Sequence, residues 1–272
     1  MTVHVEVAAG ARTARGGGRR VNQDAVLAAF PVYAVADGMG GHDAGERASA
    51  AVLAALTPLR GRRDVRPEEV VAALEHARAS VSTIARQSRR GAGSTVSAVV
   101  AVVQLGAPVW LLCHAGDSRV YRLTGSTLER LTADHSVVGE LLAVGAIGPR
   151  EARRHPERHV LTRAIGDGPG GPEFRLAPIV TGERVLVCAD GLSDVLGDEG
   201  LRAGLAMGGG AQQTADALVA LALDRGARDD MSAVVVDVRE GAVAPRADDV
   251  TGGYGTSAQA ARGDLPGTGE GT

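Results

Sequence analysis

The chain has 272 residues, a formal net charge of −3, 44% apolar residues and only 2% aromatic residues. So few rings exclude a stacking platform for single strands, and the absence of a basic excess excludes a duplex-binding face, so no nucleic-acid partner is expected. All 29 residues counted as Lys or Arg are Arg, which excludes a P-loop, a Schiff base and kinase-type chemistry, each of which needs a lysine.

Cys113 and Cys188 lie inside apolar runs and read as buried thiols of a reducing compartment. The first residues carry no apolar signal-peptide core, and no apolar run reaches the ~18 residues of a membrane span. A cytoplasmic, monomeric protein without a membrane partner is the expectation.

Taken in order, residues 3–9 alternate weakly and predict a first strand, and 12–21, rich in Gly and Arg, predict a loop. Residues 25–30 and 32–36 predict two strands around Pro31. The second ends on Asp37, followed by Gly38-Met39-Gly40-Gly41-His42, with a helix from about Asp43. Segments 44–56 and 67–86 have helical spacing, the latter opening on Pro-Glu-Glu. Segments 94–105, 109–115, 119–123 and 127–132 predict an antiparallel meander, turning at Gly116-Asp117-Ser118 and Gly125-Ser126. Residues 136–143 return to helical spacing, with a cap at Asp134-His135, and 145–159 are charged and irregular. Strands at 174–180 and 185–189, a helix at 211–224 and a strand at 232–238 close the pattern. Strands and helices in this order indicate an α+β class rather than repeated βαβ units. From residue 240 large apolar side chains nearly vanish, which predicts one domain, 1–239, followed by a disordered tail, 240–272.

Two apolar runs end in Ala-Asp-Gly, at Asp37 and at Asp190. Either could be an ordinary strand-to-helix turn. Together they suggest two carboxylates delivered to one place, with glycines that let backbone carbonyls approach closely. Acidic segments at Asp24, Asp117 and Asp229-Asp230 also sit at predicted strand edges. Carboxylates with carbonyls and water suit hard octahedral ions such as Mg²⁺ or Mn²⁺. Neither H-E-x-x-H nor G-x-S-x-G occurs, which argues against a zinc peptidase and a serine hydrolase.

The chain resembles the metal-dependent serine/threonine phosphatases of the protein phosphatase 2C family in their short bacterial form. The resemblance rests on Arg19-x-x-Asn22-Gln23-Asp24, Val35-Ala36-Asp37-Gly38-Met39-Gly40-Gly41-His42, Gly45-Glu46-x-Ala48-Ser49 and Gly93-Ser94-Thr95. It continues with Gly116-Asp117-Ser118-Arg119-Val120-Tyr121, Leu131-Thr132-x-Asp134-His135, Leu161-Thr162-Arg163-Ala164-Ile165-Gly166, Ala189-Asp190-Gly191-Leu192 and Asp229-Asp230-Met231-Ser232. The resemblance implies a four-layer αββα sandwich of two antiparallel sheets flanked by helices. It implies two Mn²⁺ or Mg²⁺ ions, with Asp37 bridging them and Gly38 giving its carbonyl to one. By the same resemblance Asp190 and Asp229 would ligate the other, Asp24 would act through water, and Asp117 with Asp190 resembles the set for a third, weaker ion. Arg19 is implied to bind the substrate phosphate. The implied substrates are proteins phosphorylated on Ser or Thr, with a bacterial Ser/Thr kinase as the opposing partner.

The chemistry agrees on its own account. A phosphomonoester dianion resists anionic attack, and paired cations neutralise it while acidifying water for in-line hydrolysis. Three positions depart from the family pattern. Asp230 stands where many members have Asn, so Asp229 is expected to ligate with Asp230 behind it. Met39 replaces a His found in other branches, and Gln23 replaces a common Glu. Residues 136–166 match the variable flap beside the family's active site. Arg150, Arg153, Arg154, Arg158, His155 and His159 there could meet an acidic or phosphorylated substrate or form a solvated face. A pseudophosphatase and a small phosphate-ester hydrolase are the competing functional readings.

Overall fold

The computed structural model describes residues 5–41, 43–166 and 170–244. One sheet holds, in spatial order, β1 (Glu6–Ala14), β11 (Met231–Glu240), β10 (Arg184–Cys188), β7 (Arg119–Thr124) and β8 (Thr127–Arg130). The other holds β2 (Asp24–Ala29), β3 (Val32–Gly40), β5 (Val96–Gln104), β6 (Ala107–Ala115) and β9 (Glu173–Pro178), with the short β4 (Ala92–Ser94) beside the end of β3. Every ladder is antiparallel.

Strand parity sorts the side chains into layers. Val32, Ala34 and Ala36 of β3 face helices α1 (Ala44–Leu56) and α2 (Pro67–Gln87). Tyr33 and Val35 face the opposite sheet, meeting Val185, Val187, Val234 and Val236. Helices α5 (Asp190–Ala206) and α6 (Ala211–Asp224) cover the outer face of the first sheet through Leu192, Leu201, Leu205 and Leu218. The result is the expected α–β–β–α stack. With few rings available, valines fill the space between the sheets. Trp110 is the large exception; it packs edge-on to Tyr33 at 6.0 Å and donates its indole N–H to Glu183 at 2.8 Å.

Several boundaries differ from expectation. β1 runs through the expected loop to Ala14 because Ala14 still pairs with Met231. β3 does not stop at Asp37; Gly38 pairs with Ser94 and Gly40 with Ala92, so the glycines are strand residues held by β4. The expected meander is divided between the sheets: β5 and β6 form a hairpin in one, β7 and β8 in the other. The chain changes sheet at Gly116, whose φ of +108° favours glycine and where a Cβ would come within 2.5 Å of the Thr95 side chain. The helix α3 (Val137–Ala143) is capped by Ser136, whose hydroxyl accepts from the Gly139 amide at 3.1 Å, rather than by Asp134 or His135. The irregular segment after it contains the short α4 (Pro149–Ala152). At the C-terminal end Val243 bridges Val180 in parallel, so the folded body passes residue 239. The expected tail from 245 onward, His42 and residues 1–4 lie outside the described residues.

Candidate metal centre

The acidic residues expected to act together occupy one end of the sandwich. Parity explains why. Val26 and Val35 face the sheet interface, so Asp24 and Asp37, each two residues further toward the strand end, fall on the same inner face. Val234 and Val236 of β11 face it too, which puts Ser232 and Asp230 on that face. Ala189 ends the inward series of β10, and Asp190 follows in the first turn of α5. Asp117 lies in the loop where the chain crosses between sheets.

Asp24 and Asp37 are register partners across β2 and β3. Like charges directly opposite one another destabilise a strand pair unless something positive lies between them. Burial, followed by the charge of Asp24 and other aspartates, holds the Asp37 carboxyl well above the usual carboxylate range. Burial and then Asp117 do the same for Asp190. Asp24 is pushed up to about 7, chiefly by burial, and Asp117 to about 6 by burial and the charge of Asp134. The Oδ1 atoms of Asp24 and Asp190 are buried without a hydrogen-bond partner. Buried, unpartnered oxygens among like charges are costly in a folded protein. A hard divalent cation is the chemical species that relieves all three conditions together.

The backbone around these groups is fixed by hydrogen bonds. The Asp37 amide donates to Thr95 Oγ1 at 3.0 Å, and that hydroxyl also bonds Ser118 Oγ. Ser94 Oγ donates to the Asp37 carbonyl at 3.1 Å, and the Gly38 amide donates to the Gln23 carbonyl at 3.1 Å. A Cβ on Gly45 would stand 2.8 Å from the Gly38 carbonyl oxygen, and one on Gly38 would collide with the Gly45 carbonyl. Two glycines thus form a cradle that keeps side chains away from that carbonyl. Asp230 accepts from the amides of Gly16 at 3.1 Å and Gln23 at 2.9 Å, so both its oxygens hold backbone. Ser232 Oγ donates to Asp24 Oδ2 at 2.7 Å.

Arg19 and Asp229 are placed at the centre but engage one another. The guanidinium donates twice to the carboxylate, at 2.6 and 2.7 Å. This is the two-pronged geometry an arginine uses for a phosphate. Among the described residues, no three His, Cys, Asp or Glu side chains close into a finished cage. The donor set therefore fits a hard cation in residue type and gathers at one end of the sandwich, with Asp229 turned to Arg19.

Asp194 escaped sequence reasoning. It lies one helical turn after Asp190, and an i, i+4 spacing in the segment after Ala-Asp-Gly is the signal that could have found it. Its carboxyl is raised by burial, with opposing charge from Arg119 and further raising by Asp134. Two clefts open from the acidic end. One, of about 740 Å³, runs between α5 and the 136–160 segment, with Asp117 and Asp190 in its lining. The other, of about 450 Å³, opens on Arg19, Asp190 and Asp229. His159, Asp190, Asp194 and Val195 line both, so the clefts meet there.

Residues 13–208 match the family model described as protein phosphatase 2C. The chain is 39% identical over 235 residues to the serine/threonine protein phosphatase PstP of Mycobacterium tuberculosis, covering 84% of this chain and 44% of that protein. The chain therefore spans less than half of that relative's length. Protein phosphatase PhpP of Streptococcus pneumoniae is 30% identical over 238 residues, covering 83% of this chain and 95% of that one. The crystal structure of the catalytic domain of PstP in complex with two manganese ions superposes with a TM-score of 0.74 at 35% identity, covering 85% of this chain and 98% of that one. No helix among the described residues is long and apolar enough to cross a membrane.

Proposed function

The chain belongs to the protein phosphatase 2C family, and from that membership we propose that it is a metal-dependent phosphatase acting on phosphorylated Ser and Thr of proteins, opposing a Ser/Thr kinase. The observation that carries this reading is the register pairing of Asp24 with Asp37, joined at the same end by Asp190 and Asp229 from the other sheet. The names of the relatives and the manganese in the PstP structure support it.

In this reading Asp37 and the Gly38 carbonyl hold one Mn²⁺ or Mg²⁺. Asp37, Asp190 and Asp229 hold a second, Asp24 contributes through water, and Asp117 with Asp190 holds a weaker third. When bound, such ions supply charge neutralisation of the phosphate dianion and acidification of water for in-line attack. Thr95 and Ser94 fix the Asp37 backbone, so the carboxylate needs no rearrangement to present its oxygens. Asp230 anchors the loops around Gly16 and Gln23 and acts behind Asp229. Arg19, freed from Asp229, presents the same fork to two non-bridging phosphate oxygens. The chain's own side chains need form no covalent phosphoenzyme.

The test is hydrolysis of p-nitrophenyl phosphate with and without Mn²⁺ by the wild type, Asp37→Asn and Asp190→Asn. Expected are Mn²⁺-dependent turnover in the wild type and its loss in both variants, each keeping a native circular dichroism spectrum. Wild-type rates in both folded variants would refute the assignment.

A further inference from the structure

The 740 Å³ cleft is larger than a phosphate needs and lies within the ~300–1,000 Å³ range of sites that enclose a sizeable ligand. Its acidic end, Asp117 and Asp190, belongs to the centre already described. The remainder lies between α5 and the flap, and its carboxylates are hydrogen-bonded within the protein except Asp194, which lies 3.9 Å from Arg119 and feels the charges of His159 and Arg158. Asp134 receives two hydrogen bonds from Arg119, at 3.0 and 2.8 Å, and lies 3.2 Å from Arg130. Glu199 receives Arg202 at 2.8 and 2.6 Å, and Asp198 accepts from the Tyr121 hydroxyl at 2.9 Å.

Two cations on the flap wall have no hydrogen-bonded partner among the described residues, and the charge of one of them, Arg158, reaches Asp194 across the cleft. Arg153 and Arg158 line the cleft and are exposed, and their guanidinium groups make no hydrogen bond or ion pair with any described residue. Arg150 and Arg154, in the same charged segment, do not line it. The flap is pinned at its base: the Val137 amide donates to the Val160 carbonyl at 2.9 Å, and the Thr162 amide to the His135 carbonyl at 2.9 Å. Ser136 and Leu161 form a bridge between these bonds. The two arginines are thus carried on a closed loop facing a groove that leads to the acidic centre. Val138, Leu142 and Ala152 give this wall an apolar lining that lowers the screening of any ion pair formed against it.

We propose that Arg153 and Arg158 form a second anion site, taking a carboxylate or a second phosphate carried a few residues from the scissile phosphoresidue. The protein then selects phosphorylated segments with acidic surroundings. This inference rests on the phosphatase reading above and adds the chemistry of the substrate's flank. A free fork can grip either anion in two-pronged fashion, and the doubly charged phosphate is the stronger ligand.

The experiment compares three phosphothreonine peptides: one flanked by Glu, its Gln counterpart, and one with a second phosphothreonine in place of Glu. The readout is the ratio of kcat/KM between peptides within each protein, with Mn²⁺ present. Wild type is expected to prefer Glu over Gln by about three- to tenfold, and the doubly phosphorylated peptide by more. The preference falls as KCl is raised. In R153Q/R158Q the ratios collapse toward one. In R150Q/R154Q, which removes the same charge elsewhere on the flap, they persist. A ratio near one in wild type, an unchanged ratio in R153Q/R158Q, or equal collapse in both double variants overturns the proposal. p-Nitrophenyl phosphate separates the two levels: turnover of this small ester without peptide preference sinks only the anion site. If wild type hydrolyses nothing, the phosphatase reading fails. Fluorescence anisotropy of the labelled peptides then still decides the groove, and equal affinities overturn it.

Discussion

Gly45→Ala sets two effects against one another. Gly45 is the second residue of α1, where Ala is favoured over Gly by up to about 1 kcal/mol on helix propensity alone. The added Cβ, however, would stand 2.8 Å from the Gly38 carbonyl oxygen and 2.7 Å from the Gln23 amide nitrogen. The Gln23 contact is with the far end of a flexible side chain, which yields more cheaply than backbone. The Gly38 carbonyl cannot move freely, because its residue pairs with Ser94 and its amide is bonded to Gln23. Overpacking of this kind costs about 1–3 kcal/mol. The net expectation is destabilisation by about 1–2 kcal/mol, or roughly 3–6 °C in Tm for a domain of this size. The same displacement moves the carbonyl assigned to one ion, so the Mn²⁺ concentration that half-restores activity after EDTA treatment should rise. Differential scanning fluorimetry and a Mn²⁺ titration measure the two. A Tm at or above wild type with an unchanged Mn²⁺ midpoint would refute the cradle.

Other expectations follow from the same geometry. In EDTA, the raised carboxyls of Asp24 (about 7), Asp117 (about 6), Asp37 and Asp190 mean that the folded state binds protons more tightly than the unfolded chain, where Asp titrates near ~3.9. The stabilising contributions of Asp24 and Asp117 are complete below about pH 4 and are lost as pH rises through about 6–7, and those of Asp37 and Asp190 have the same sign. The Tm of metal-free protein should therefore fall from pH 5 to 8 while the gap to Mn²⁺-loaded protein widens, and a constant gap would contradict this. Thr95→Val leaves the Asp37 amide without its acceptor and should cost about 1–3 kcal/mol by urea denaturation; no change would mean that the bond is dispensable. Arg19→Lys keeps the charge but loses the fork. Its stability cost should stay under about 1 kcal/mol because the Arg19 and Asp229 side chains are 44% and 37% exposed, whereas kcat/KM for a phosphate ester should drop about tenfold or more. Equal kcat/KM would remove Arg19 from phosphate binding.

What could be read from the chain follows the range of the forces involved. The convergence of Asp24, Asp37, Asp190 and Asp229 was legible because each follows or precedes an apolar strand, and strand parity carries over into three dimensions. Ala92-Gly93-Ser94 has no strand propensity and becomes β4 only because Gly38 and Gly40 lie alongside it. The turn at Gly116 resembles a hairpin turn, and nothing local says that it leads into the other sheet. The Arg19–Asp229 pair joins residues 210 positions apart, beyond any local pattern. Asp194 carries a helical-spacing signal, but one shared by many surface carboxylates.

The polar bonds at the acidic end have a mechanical side. Asp24 of β2 reaches Ser232 of β11 from sheet to sheet, and beside it the Gln23 amide reaches Asp230 and Thr95 reaches Ser118, joining residues that flank the strands of one sheet to residues that flank those of the other. Valine against valine supplies adhesion between layers but little alignment, since greasy surfaces can shear past one another at small cost. Directional stitches cannot. The sandwich is therefore sewn most densely along the acidic rim, with the Trp110–Glu183 bond as a separate stitch, and the acidic rim is where carboxylates from two independent sheets must keep their spacing.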